Sequence, residues 1–207
     1  MGFLDAIYFI NLDHRTDRLE QIKGEIARLG IEEEKIHRVS AVYTPEIGVL
    51  GCALSHIKAL DLFLQSSHKS CLLLEDDFMF TTDIHYCKFL FKHLLDKEFD
   101  VVMLGGKVMN EVSTDSPFLK KVLDAQTTSA YMITREFAPV LRQNLIEGAK
   151  LLEQWFSLYK EKKHEYCLDI FWKQLQPCNR WFIFHPKMGI QRESYSDIEK
   201  KITNYGV

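Results

Sequence analysis

Cys71, Leu72, Leu73 and Leu74 are apolar without a break, and three carboxylates follow at once: Glu75, Asp76 and Asp77. A short apolar run bounded by polar residues predicts a strand buried on both faces, the kind a parallel sheet uses. The acids then fall at its C-terminal end, where open α/β sheets place their ligands. Three adjacent carboxylates repel one another and call for a compensating charge. A divalent cation suits, because hard cations prefer carboxylate oxygens. Strand alternation predicts that Glu75 and Asp77 share a side and that Asp76 faces the other way. A solvated acidic turn is the plain alternative for such a triplet.

The chain has 207 residues, enough for one domain with a real core at 46% hydrophobic and 27% charged content. A net charge of −3 argues against general nucleic-acid binding. The five cysteines, Cys52, Cys71, Cys87, Cys167 and Cys178, are odd in number and show no CxxC spacing. Neither a disulfide framework nor a zinc site is expected, and a reducing compartment fits. No stretch has the length of a membrane span, no basic segment leads into an apolar one at the N-terminus, and no Asn-x-Ser/Thr acceptor occurs. The expected location is cytoplasmic. Met1-Gly2 suggests myristoylation, but Ala6 stands where Ser or Thr is preferred.

Along the chain, residues 6–12 predict a first buried strand ending in a polar cluster that includes Asn11, Arg15 and Arg18. A helix follows over 17–29, with Thr16 as its cap, Leu19, Ile22, Ile26 and Leu29 on one face, and Gly30 as its end. Residues 36–39 form a second strand, which makes a βαβ opening. GxGxxG and GxxxxGK[ST] are both absent, which disfavours a dinucleotide site and a P-loop. Gly48–Gln65 predicts a helix in which Gly51, Cys52 and Ala53 permit close packing, with Ser55 and His56 as polar exceptions. His56 is either a hydrogen-bonded packing residue or a catalyst.

Residues 82–97 predict an amphipathic helix, and 100–104 a strand ending in Gly105-Gly106. Residues 107–117 are polar and aperiodic, a surface loop and a candidate lid. TTSAYMIT at 127–134 returns to strand character, facing a ligand or filling a packing position. A helix over 136–159 is expected to be interrupted at Pro139 and Gly148. A short helix at 168–175 sets Asp169 among Ile170, Phe171 and Trp172, where an unpaired charge is disfavoured. Asp169 is therefore a candidate general base, with capping as its structural alternative. A last strand over 181–185 leads into a polar tail loop, 186–197.

Six blocks occur in order: YFINLDHRTDR, GCALSHIKAL, CLLLEDDF, TTSAYMI, LDIFW and HPKMGIQRESYSDI. Together they resemble the family 25 glycosyltransferases, which include bacterial lipooligosaccharide galactosyltransferases and collagen hydroxylysine galactosyltransferases. The resemblance covers roughly residues 6–200. It implies a single GT-A-type α/β domain with a mixed, mostly parallel sheet flanked by helices. It also implies a UDP-sugar donor (UDP-galactose or UDP-glucose), Mn²⁺ or another divalent cation, and inversion at the anomeric carbon. The acceptor would be a hydroxyl on a glycan or on a hydroxylated protein.

Carried onto this chain, the resemblance assigns Asn11 and Arg15 to the nucleotide or its pyrophosphate, and Ser40 and Ala41 to the ribose. Glu75, Asp76 and Asp77 form the acidic motif, with Glu75 and Asp77 as metal ligands and Asp77 foremost. Asp169 is the implied base or acceptor-positioning group. Gln191, Ser196 and Asp197 lie by the diphosphate. Where the family commonly has Gly-Glu-Ile-Gly, this chain has Gly48-Val-Leu-Gly51. Arg15 or Lys187 would help neutralise the departing diphosphate. The competing readings are an inactive nucleotide-sugar-binding scaffold of the same fold and a metal-dependent phosphohydrolase or nucleotidyltransferase.

Overall fold

A computed structural model describes residues 4–198, 201–204 and 206. The chain opens with β1 (Ile7–Asn11), α1 (Thr16–Leu29), β2 (Ile36–Ser40), α2 (Gly48–Gln65) and β3 (Ser70–Glu75). Next come β4 (Phe78–Phe80), α3 (Ile84–His93), β5 (Val101–Met103), β6 (Lys107–Ser113), β7 (Leu119–Gln126) and β8 (Ala130–Thr134). The last part holds α4 (Ala138–Tyr159), a short turn of helix α5 (Leu168–Phe171), β9 (Trp181–Phe184), β10 (Gly189–Gln191), β11 (Ser194–Ser196) and β12 (Lys201–Thr203). Eight strands form one sheet in the order β2-β1-β3-β8-β5-β9-β7-β6. All run the same way except β7 and β8. This is the expected α/β class, with a mixed, mostly parallel sheet between helices.

The apolar strand β3 lies inside this sheet, between β1 and β8. Cys71, Leu72, Leu73 and Leu74 are fully buried. Each such leucine contributes ~1.5–3 kcal/mol by leaving water. Alternation sends Cys71 and Leu73 into one core with Ala53, Leu60 and Phe63 of α2 and Leu141 and Leu145 of α4. Leu72 and Leu74 enter the other, with Ile22 and Ile26 of α1 and Leu90 and Phe91 of α3. That parity carries through to the next residue, so Glu75 comes out on the α2 side.

Four expectations are corrected. Residues 107–117 are not a loop, because β6 pairs with β7 as an antiparallel hairpin. β6 is exposed along most of its length, so no apolar alternation marks it in the sequence. α4 runs unbroken through Pro139 and Gly148. Pro139 sits in the first turn, where no helical N–H is lost, and a Cβ on Gly148 would lie 2.9 Å from the Phe171 ring, so the glycine admits α5 against α4. Thr16 is the first residue of α1 rather than its cap; Arg15 holds the cap position without a side-chain bond. The tail loop contains β10, which pairs with β4, and β11, which pairs with β12. No helix among the described residues is long and apolar enough to cross a membrane.

Candidate active site

The C-terminal ends of β1, β2 and β3 open onto a cleft of about 760 Å³. Asn11, Ala41, Glu75, Asp76, Asp77, Gln191 and Asp197 line it, together with Arg18, Tyr43, Cys52 and His56. The loop after β2 forms one wall. Its position depends on Gly51, where a Cβ would stand 2.5 Å from both Thr44 Oγ1 and the Val42 carbonyl. Ser55 Oγ completes the attachment. It accepts from Val42 N at 2.8 Å and donates to Gly51 O at 2.6 Å.

The three acids do not share one environment. β3 ends at Glu75, and Asp76 and Asp77 lie in the turn before β4. Strand alternation therefore stops at Glu75, and the expectation that Glu75 and Asp77 pair off against Asp76 fails. Asp76 and Asp77 instead share Arg18, whose Nη1 donates to Asp76 Oδ1 at 2.9 Å and to Asp77 Oδ2 at 3.2 Å. Asn11 Nδ2 donates to Asp76 Oδ2 at 2.8 Å, and Gln191 Nε2 to Asp77 Oδ2 at 3.0 Å. Asp77 Oδ1 is buried without a hydrogen-bond partner. Burial, then the charges of Glu75 and Asp76, push the Asp77 carboxyl up to about 7 against the pull of Arg18.

Glu75 belongs to a separate network. His56 Nε2 and Thr128 Oγ1 both approach Glu75 Oε1, at 3.1 and 2.6 Å, and His56 Nδ1 lies 3.1 Å from the Tyr131 hydroxyl. Burial works to raise this carboxyl, but the bonds from His56 and Thr128 outweigh it and hold Glu75 below its ordinary value. Cys52, His56 and Glu75 bring ligand-type atoms within 4.8 Å of one another. A thiolate, imidazole and carboxylate would suit a zinc-like ion. That fit is poor here, since both His56 nitrogens are engaged and burial drives the Cys52 thiol well above its usual value. The buried, unpartnered Asp77 Oδ1 fits a hard divalent cation better.

A second cleft of about 750 Å³ adjoins the first. Asp169 lines it with Thr127, Thr128, His164 and Cys167, and Cys52, Glu75, Gln191 and Ile198 line both clefts. Thr127 N approaches Asp169 Oδ2 at 3.4 Å. Thr127 has a φ of 82°, a left-handed conformation that a branched residue rarely adopts and that costs ~1–3 kcal/mol. Burial, then the charge of Glu75, raises the Asp169 carboxyl.

Other expected residues fall at the rim or outside. Arg15 is held by Asp17 and, at 2.5 Å, by Asp197. The same pairings keep the Arg15 guanidinium charged and hold Asp17 down to about 2. Ser40 Oγ donates to Asp13 at 2.9 Å, and Ser40 is not among the cleft-lining residues. The side chain of Ser196 lies outside the described residues. Lys187 donates to Gly106 O at 2.7 Å and lines a separate groove beside β6; it is not among the residues lining the first cleft. In the sequence Arg18 stands out only as part of a polar cluster, and Thr128 only within a stretch that faces a ligand or fills a packing position. Neither has a local signal, because both act across long stretches of chain.

No family model matches the sequence, and no curated protein does. The fold is similar to that of several solved structures. For the glycosyltransferase GlyE of Streptococcus pneumoniae TIGR4, identity is 11% and the TM-score 0.48, over 87% of this chain but 45% of that one. For A197 from STIV, identity is 14% and the TM-score 0.47, over 98% of this chain and 100% of that one. For the galactosyltransferase LgtC, solved with donor and acceptor sugar analogues, identity is 12% and the TM-score 0.44, over 85% and 72% of the two chains. A likeness at these values concerns the fold and none of the chemistry.

Proposed function

We propose that this protein is a divalent-cation-dependent, inverting glycosyltransferase related to family 25. It would move a galactose or glucose from its UDP derivative to a hydroxyl on a glycan or hydroxylated protein. The observation that carries this reading is the junction of two clefts: one floored by Asp77, the other lined by Asp169, with Glu75 on the wall they share. A group-transfer enzyme needs such an arrangement, because donor and acceptor must meet at one atom from opposite directions.

In this reading UDP occupies the first cleft. Asn11 shapes its floor by fixing Asp76, and Tyr43, 59% exposed at the mouth, offers a ring face to the base. Ala41 lies along the ribose. Asp77 Oδ1 would hold Mn²⁺ or a similar ion, which when bound supplies Lewis-acid neutralisation of the diphosphate. Arg18 remains beside the same acids as a fixed positive charge, and Gln191 orients Asp77. Asp197 and Arg15 close the rim.

Asp169 then acts as base. The acceptor oxygen attacks the anomeric carbon from the face opposite the diphosphate. The new C–O bond forms as the C–O bond to phosphate breaks, and the hydroxyl proton passes to an Asp169 carboxylate oxygen. A carboxyl raised by burial is a stronger base than a solvated one. The deciding experiment is calorimetry with UDP-galactose and UDP-glucose in Mn²⁺, followed by an assay for released UDP. Binding with release supports the transferase. Binding without release under any acceptor supports the inactive scaffold, and free phosphate or pyrophosphate as product supports a phosphohydrolase or nucleotidyltransferase.

A further inference from the structure

The carboxylate of Glu75 occupies an unusual position. It lines both clefts, so it stands where a sugar in transit between them must lie. It is also anchored through one of its two oxygens. Oε1 receives both His56 Nε2 and Thr128 Oγ1. His56 is fully buried and is itself fixed by the Tyr131 hydroxyl, and the two rings stack at 5.8 Å with 12° between their planes. Trp172 packs edge-on against Tyr131 at 5.6 Å.

These bonds form one continuous chain when His56 carries a proton on Nε2 and accepts at Nδ1. Tyr131 O–H donates to Nδ1, Nε2–H donates to Glu75, and Thr128 O–H donates to the same oxygen. The chain of donors runs one way and ends on Oε1. The second carboxylate oxygen, Oε2, takes no part in this anchoring. A carboxylate locked through one oxygen presents the other in a fixed direction, the geometry needed to select one arrangement of hydroxyls over another.

We infer that Glu75 is the residue that reads the hydroxyls of the transferred hexose, with His56, Tyr131 and Thr128 as its positioning residues. This rests on the donor reading above and assigns Glu75 to the sugar, leaving Asp77 to the cation. Galactose and glucose differ only in the direction of one hydroxyl, and a rigid acceptor of hydrogen bonds separates them as an apolar wall does not.

The test is calorimetry of UDP, UDP-galactose and UDP-glucose with Mn²⁺ on the full chain and on Glu75→Gln, Thr128→Val and Tyr131→Phe. Glu75→Gln should weaken the preferred UDP-hexose about tenfold, the size expected for one charge-assisted bond, while UDP itself moves less than about twofold. Thr128→Val and Tyr131→Phe should shift the galactose-to-glucose ratio in the same direction by smaller factors. A general packing defect would weaken UDP and UDP-hexose together. That result, or an unchanged hexose preference, overturns the assignment. Should Glu75→Gln fail to fold, Thr128→Val decides the matter, since it keeps the shape and removes the bond. A wild-type protein that binds no UDP at all overturns the donor reading and this assignment with it, whereas normal UDP binding with unaltered hexose selectivity overturns the assignment alone.

Discussion

Arg18 Nη1 lies 2.9 Å from Asp76 Oδ1, and the same nitrogen reaches Asp77 Oδ2 at 3.2 Å. All three side chains are about nine-tenths buried. The other terminal nitrogen of Arg18 donates to Ser194 Oγ and to the Tyr195 carbonyl, at 2.5 and 2.9 Å. One guanidinium thus fastens α1, the acidic turn and the C-terminal β11 segment together. Arg18→Ala should leave two buried carboxylates uncompensated and destabilise the fold by about 3–5 kcal/mol. Urea denaturation measures this. Mn²⁺ should recover part of the loss, because the added charge replaces the missing one. A change under about 1 kcal/mol would contradict the central role of this ion group.

Asp77 offers the unpartnered buried oxygen. Asp77→Asn keeps the size and removes the charge. It should abolish the gain in UDP affinity that Mn²⁺ confers, and chelation with EDTA should do the same to the wild type. If the variant still shows the full Mn²⁺-dependent gain, the cation sits elsewhere.

Asp169→Asn should leave UDP-sugar binding within about twofold and lower turnover by about 10²–10⁴, the usual contribution of a positioned base. Wild-type turnover in this variant would remove Asp169 from the chemistry.

The same carboxyl sets a pH dependence of stability. Burial first, then the Glu75 charge, holds Asp169 above its ordinary value of 3.8. A raised acid keeps its proton in the folded state after the unfolded chain has released it. Its contribution is complete below the unfolded value and is withdrawn as pH rises through the folded one. Asp169→Asn never ionises, so wild type should lose stability relative to this variant as pH climbs from about 4 toward neutrality. Denaturant midpoints across that range provide the check, and a gap that stays constant would mean the carboxyl is not shifted.

Gly51→Ala should cost about 1–3 kcal/mol, since the new Cβ would press on Thr44 Oγ1 and the Val42 carbonyl at 2.5 Å. The wall built by residues 41–44 would move, so UDP affinity should fall as well. Thermal melting and calorimetry on one preparation give both quantities.

Much of the frame was legible. The apolar runs of β1 and β3, the 18 residues of α2 and the Gly30 terminus, with its φ of 63°, follow from periodicity and local backbone preference. The hairpin of β6 and β7 was not legible, because β6 owes its strand character to pairing with β7 rather than to burial. Pro139 and Gly148 were misleading for a similar reason. Their effect depends on the turn of helix each occupies and on the Phe171 ring across from it.

By itself the chain determined that residues 71–74 would form a strand buried on both faces and that three carboxylates would stand at its C-terminal end. Those outcomes follow from neighbours in sequence, where alternation and the hydrophobic effect act directly. Only the tertiary structure decided how the acids divide. β3 ends at Glu75, so its carboxylate meets His56 from α2 and Thr128 from the approach to β8. Asp76 and Asp77 turn instead toward Arg18 of α1 and Gln191 of β10. Those partners lie between 19 and 114 residues away. Charge and hydrogen bonding act through space, and nothing local in the sequence records which distant donors the sheet will bring to each oxygen.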